Sequence, residues 1–411
     1  MKVWRWFVLL LLVSTAVIFT SGCWDEVETE KTDFVLGLGV DPAPGGNYSV
    51  TLSIPSAVAT SAGGAAGGGG ALTGLHVTGE GESFLAALKD AENQLEFKVY
   101  LGQLMLVAVS EDIARRGLMP IWDALLREHY ISARLIMVVT AGPARDLFDV
   151  TPAEEPLAAM AMWDTVNSLA QRGEAPISFL FKNVADYFDP GVDPVVVMLE
   201  AVPAVQTTGG SPPGKGGGGS SGSGSGGEQS EDMSKSSVTY RYDGLAIFHG
   251  DKMVGKLDQR QGMSATLLIG GHGGQRCDVT LDQGKATVEV SRVRRSYQYR
   301  VQDGRVYIDV GLSMLVKVPE STTSLNFMDP DNISRFTAQA NQHFAKVIAD
   351  AVALTQALQA DIFGLGLRMQ AQDYRDFIKL DWDQAYKDAV INIHVNTLVL
   401  EQGRWRGAKG P

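Results

Sequence analysis

The sequence predicts an α+β fold: a multidomain, mixed α/β protein whose C-terminal part is a mostly antiparallel sheet packed by one long helix. Three observations carry that prediction. Strand-like runs and helical periodicities alternate through the chain before residue 206. A Gly/Ser-rich tract at 206–237 then interrupts it, with Met233 as its one large apolar side chain and so nothing to build a core. Beyond the tract, strand-rich sequence leads into a single long helical repeat.

The elements follow in order. Residues 34–41 and 47–54 read as strands, the second alternating through Tyr48, Val50, Leu52 and Ile54. A short strand is expected at 75–77, after a Gly/Ala-rich stretch at 61–74 that reads as a surface loop. Residues 82–95 are helical, with Phe84, Leu85, Leu88 and Leu95 on one side. An apolar strand is expected over 99–109, then a helical region over 111–129 jointed near Gly117 and Pro120. A strand at 134–140, a short helix opened by Pro143, a helix at 154–171 and a strand at 194–202 complete this part.

After the tract, 239–248 and 252–257 form a hairpin about Gly250-Asp251. Residues 277–318 alternate as strands, turning at Asp303-Gly304. A long helix starts near Asp331 and repeats Ile333, Phe336, Ala340, Phe344, Val347, Ala351, Leu354 and Leu358 at three- and four-residue steps, with Gly364 and Gly366 as its end. A helix at 382–389 and a strand at 391–400 close the chain. The domain division is therefore 1–22, 23–205, the linker 206–237, a small hairpin/helix unit at 238–272, and 273–411.

The N-terminus has its own logic. Lys2 and Arg5 precede an apolar run over 7–19, and Thr20, Ser21 and Gly22 are small. That is the three-part build of a secretory signal peptide, too short for a spanning helix of ~20 residues. Ser21-Gly22-Cys23 resembles a bacterial lipobox, so Cys23 is the expected lipidation site and first mature residue. A diacylglyceryl group supplies two chains, enough for stable anchoring. The other cysteine, Cys277, is then expected to be a small buried apolar residue.

A net charge of −12 argues against sequence-independent nucleic-acid binding and against attachment to anionic lipid through a basic patch. The search for chemistry finds no catalytic set. Asp381 and Asp383 flank Trp382, and on a helix that spacing turns them to different faces. Asp25, Glu26, Glu28 and Glu30 read as solvated tether charge beside the anchor. His76, His129, His249, His272, His343 and His394 form no metal-ligating spacing. The Gly-Leu-Gly stretches at 37–39 and 364–366 do not extend to a nucleotide fingerprint, and turns or close packing explain them better. No cofactor or metal is expected.

Several stretches together resemble the Ger(x)C family of spore-germination lipoproteins, the C subunits of nutrient germinant receptors. They are GCWDEVE and VLGLGVD near the start, LGQLMLVAVSEDIARRGL, YRYDGLAIFHGDKMVGKLD, QALQADIFGLGLRM, and WDQAYKDAVINIHVNTLVLEQG. The two Gly-rich stretches look like insertions relative to that family. The resemblance implies a three-domain, non-catalytic protein held by its lipid to the outer face of the spore inner membrane. It implies two integral-membrane receptor subunits as partners, one of them transporter-like, and a role in the response that triggers germination. The alternative is a solute-binding or accessory lipoprotein of a membrane transporter, which would be expected to show two similar α/β lobes about a cleft.

Overall fold

The computed structural model describes residues 3–8, 10–11, 14, 31–58, 71–204, 238–270, 273–282, 284–323 and 329–401. Its strands are β1 (Thr32–Phe34), β2 (Gly37–Pro42), β3 (Tyr48–Val58), β4 (Ala71–Gly81), β5 (Lys98–Tyr100), β6 (Leu106–Ser110), β7 (Ile136–Thr140), β8 (Val195–Pro203), β9 (Val238–His249), β10 (Lys252–Asp258), β11 (Gln275–Leu281), β12 (Gly284–Gln302), β13 (Arg305–Ser321) and β14 (Val390–Glu401). The helices that matter below are α1 (Phe84–Glu92), α2 (Glu111–Arg116), α3 (Met119–Arg127), α4 (Ala158–Gln171), α5 (Leu180–Phe188), α6 (Gln259–Ile269), α7 (Pro330–Ala357), α8 (Leu365–Gln372), α9 (Tyr374–Phe377) and α10 (Trp382–Asp388).

Eight strands form one mixed sheet in the order β10-β9-β8-β7-β6-β2-β3-β4. Its centre is parallel, from β2 through β6 and β7 to β8, and both flanks are antiparallel. A parallel centre needs crossovers, and these put helices on both faces. Leu106 and Ala108 of β6 pack with Met162 and Val166 of α4, whereas Val107 and Val109 pack with Ile113 of α2 and Trp122 of α3. Every residue of β6 and β7 is buried as a result.

Gly37-Leu38-Gly39 lies inside β2 rather than at a turn, and the close-packing reading accounts for it. A Cβ on Gly37 would stand 2.6 Å from the Phe148 ring, which lies flat on the strand. At the end of β2 the buried Asp41 carboxylate accepts the backbone N–H groups of Ala144 (2.6 Å) and Arg145 (2.9 Å), pinning the short 3₁₀ turn Ala144–Leu147.

The second sheet has the order β11-β12-β13-β14, with two antiparallel pairings and a parallel one between β13 and β14. Its inner face is an alternating row: Val306, Ile308, Val310, Leu312, Met314 and Val316 are buried. The same core holds Phe336, Ala340, Phe344 and Ala351 of α7, as the helical repeat predicts, but Ile348 is buried where the repeat placed Val347, and Ile333 and Leu354 are only partly buried. The C-terminal fold class is as the sequence indicates.

Four sequence readings need correction. The apolar run 99–109 is not one strand: it splits into β5, a 3₁₀ turn at Leu101–Gln103 and β6. α5 had no sequence counterpart, and α6 appeared only as an unplaced helix after the hairpin. α7 ends at Ala357, and Gly364, left-handed at φ 62°, instead begins α8. The hairpin at 238–258 does not stand apart either. β9 pairs with β8 from Val195↔Ile247 to Pro203↔Val238, so the eight-stranded sheet runs on across the linker. The linker lies outside the described residues, as do the predicted signal cleavage region, Cys23 and His272.

Candidate functional site

The two sheets share one apolar core, and a polar junction beside it is built around the tight turn between β9 and β10. Gly250 takes φ 61° at its first central position, a backbone state that glycine reaches without strain. That turn touches three parts of the chain.

On one side it meets the joint between α2 and α3. The Asp251 carbonyl accepts Leu118 N–H at 2.9 Å and its carboxylate accepts Met119 N–H at 3.1 Å, satisfying donors at the start of α3. On the other side it meets Asp193, in the segment leading into β8. Asp193 Oδ1 accepts Gly250 N–H (2.9 Å) and Oδ2 accepts Asp361 N–H (2.9 Å), while Asp193 N–H donates to the Asp361 carbonyl (2.9 Å). The N-terminal sheet is thus stitched to the segment after α7 by reciprocal bonds.

Asp361 completes the junction. Its side chain is fully buried, and its oxygens accept Phe363 N–H (3.1 Å), Gly366 N–H (2.8 Å) and the Trp382 indole Nε1–H (3.2 Å). Burial pushes this carboxyl up to about 7, against the lowering effect of its hydrogen bonds. The backbone of α8 then lies directly on that of the N-terminal part: Leu367 N–H donates to Gly191 O at 2.8 Å. A Cβ on Gly366 would stand 2.4 Å from the Trp382 ring and 2.8 Å from Gly191 Cα, so only glycine fits.

His249 sits at the mouth of this junction. Its Nδ1 is 3.6 Å from Asp193 Oδ1 and its Nε2 is 3.8 Å from Asp383 Oδ2. Asp193 is the main cause that raises the imidazole above its ordinary value, with Asp383 adding to it; burial opposes them. Ligand atoms of Asp193, His249 and Asp383 lie within 4.8 Å of one another. The two ring nitrogens face different carboxylates, each beyond hydrogen-bond distance. Burial is the largest influence on Asp383, and it raises that carboxyl.

Chemically, this arrangement clamps chain segments. The carboxylate oxygens of Asp193 and Asp361 already accept backbone or indole N–H groups, so neither is poised as a nucleophile or base. Cys23, the one sequence-predicted site residue, lies outside the described residues. Asp381 and Asp383 are not on one helix: Asp381 is the extended residue before α10 and Asp383 lies in its first turn, facing His249, so the helical-spacing argument does not apply to the pair. Cys277 is partly buried on β11, and burial pushes its thiol up to about 12, which leaves it unreactive near neutral pH. The sequence shows the pieces of this junction without showing that they meet. The junction gathers residues from four of the stretches that carried the family resemblance: Leu118, the 249–251 turn, Asp361 with Gly366, and Trp382 with Asp383.

A covered mixed sheet joined by buried carboxylates to a one-sided sheet defines a protein built around an internal junction. Known proteins share its sequence pattern. Residues 25–201 match the spore germination protein N-terminal domain, and residues 243–403 match the spore germination B3/GerAC-like C-terminal domain. The chain is 24% identical to YfkR of Bacillus subtilis (strain 168), provisionally named a spore germination protein, over 94% of each chain. It is 21% identical to spore germination protein KC of the same organism, over 96% of this chain and 95% of that one. The crystal structure of the GerBC protein superposes with a TM-score of 0.49 at 14% identity, covering 89% of this chain and 97% of that one. The chain belongs to the GerAC family of spore germination proteins.

Proposed function

We propose that this chain is a lipid-anchored, non-catalytic subunit of a spore nutrient germinant receptor, acting through protein–protein contacts. The observation that carries this reading is that the two family domains together span most of the chain and their signature residues meet in one buried junction. A junction of that kind suits a subunit that passes a structural change between its halves better than one that turns over a substrate. The two sheets are unlike in order and covering, which supports this reading over two similar lobes closing on a solute.

In this proposal residues 1–22 direct export and Cys23 carries the diacylglyceryl group. The acidic segment from Trp24 to Glu30 spaces the folded part from the outer face of the spore inner membrane. Among the described residues no helix is long and apolar enough to cross a membrane. The partners are integral-membrane receptor subunits, including a transporter-like one. The chain divides at the linker 206–237 and near residue 272; 23–205 and 238–272 share one sheet, so protease nicking within the linker should leave the two fragments associated.

The test is Cys23→Ala with membrane fractionation and nutrient-triggered germination. Release of the protein from the membrane fraction together with slower germination is expected. A variant that stays in the membrane fraction would refute the anchor. Failure of the chain to co-purify with a transporter-like membrane protein from detergent-solubilised spore membranes would refute the receptor assignment.

A further inference from the structure

A cleft of about 400 Å³ runs along the free edge of β11, between α6 and α7. Its floor is apolar: Met263 of α6, Phe344 and Val347 of α7, and the Cys277 side chain. Its rim is cationic. Arg260, Arg276 and Lys285 face it, against a single carboxylate, Asp278. In a chain with net charge −12 that local excess runs against the average.

The pairing of these charges is uneven. Arg276 is neutralised by Glu289 at 3.0 Å, and Asp278 accepts the Thr287 hydroxyl at 3.0 Å. Among the described residues no carboxylate lies within ion-pair distance of Arg260 or Lys285. Arg260 instead faces His343, with Nη2 at 3.4 Å from Nε2. Burial, and then the facing guanidinium, hold that imidazole below its ordinary value. The Arg260 guanidinium and the Lys285 ammonium thus line the same opening. Volume, apolar floor and convergent polar rim together have the form of a small-molecule site.

We infer that this cleft binds a small organic anion, with an oxyanion group between Arg260 and Lys285 and an apolar body on Met263, Phe344 and Val347. Arginine is suited to hold a carboxylate or phosphate through two parallel N–H donors, and the floor rewards each methylene added to the ligand. This site is independent of the receptor-subunit reading, and it lies between the helix that follows the β9–β10 hairpin and the long C-terminal helix.

The test uses the full chain in lipid nanodiscs, labelled at methionine methyl groups, with the Met263 signal assigned through Met263→Leu. Sodium butyrate, sodium acetate and 1-butanol are titrated by NMR. Butyrate should move the Met263 resonance, acetate should bind about tenfold more weakly for want of two methylenes, and 1-butanol should leave the signal in place. Arg260→Met and, separately, Lys285→Met should each raise the butyrate Kd at least tenfold, while Arg260→Lys should keep part of the affinity. Both rim positions are exposed, and unchanged signals from the other methionines would show that the variants are folded. A stationary Met263 signal, equal binding of butyrate and 1-butanol, or unchanged affinity in both methionine variants would overturn the site.

Discussion

The two sheets solve burial differently. β6 and β7 are buried on both faces, so adjacent residues such as Leu106 and Val107 belong to opposite cores. β12 to β14 are covered by α7 on one face only, so Leu312 is buried while its neighbour Ser313 is exposed. The first sheet tolerates little change at any central position; the second has a free side. The two share one apolar core, and Asp193 and Asp361 add a buried polar link between the segments beside them.

The sharpest way to break this comparison is at the junction. Asp361→Ala would leave Phe363 N–H, Gly366 N–H and the Trp382 indole N–H without their acceptor, and should cost at least about 4 kcal/mol in denaturant unfolding. A loss under ~1 kcal/mol would mean that the sheets are joined by apolar contact alone. Gly366→Ala comes next, at about 2–3 kcal/mol, because its methyl would displace Trp382 or the Gly191 backbone.

Alanine substitutions within the sheets sharpen the contrast. Leu106→Ala and Val107→Ala should both destabilise, by about 3 and ~2 kcal/mol. In β13, Leu312→Ala should behave like Leu106→Ala, whereas Ser313→Ala should stay within ~0.5 kcal/mol. Equal losses at Leu312 and Ser313 would show that something covers the outer face.

A pH series gives a smaller and more specific effect. Asp361 is raised from 3.8 to about 7, so the folded state holds its proton more tightly than the unfolded chain. That contribution is full at low pH and is lost as pH rises from about 4 to 7. His249 is also raised, so its contribution is present below the unfolded value of 6.5 and fades as pH passes the higher folded value. Unfolding curves from pH 4 to 8 should therefore show a junction that weakens on the alkaline side. Asp361→Asn should flatten the lower part of that profile and His249→Gln the upper part; parallel profiles for all three proteins would exclude both groups.

The same contrast explains what the sequence revealed. The alternation in β12 and β13 is legible because one face is wet, and the α7 stripe because the helix has one dry side. In the doubly covered sheet the pattern vanishes into apolar runs, so a run at 99–109 hid a 3₁₀ turn between two strands. α6 had a legible start: Asp258 and Gln261 form a capping box. α5 lacks a side-chain cap at its start, and sequence gave no comparable mark. The junction was invisible for another reason. Asp193 and Asp361 stand 168 positions apart, and nothing local to either announces its partner. Gly366 was visible as a glycine, but not the indole that rests on it.

The pairing of β8 with β9 has a practical consequence. Pro203 and Val238, the last sheet residue before the Gly/Ser tract and the first after it, are opposite one another in adjacent strands. The tract therefore leaves and re-enters the sheet at a single doorway, whatever its length. Doubling such a loop adds only about 0.6 kcal/mol of closure entropy. A fluorescent protein or affinity handle whose own ends lie close together could be spliced into 206–237 and report on this chain in living spores, with every strand of the sheet still in register.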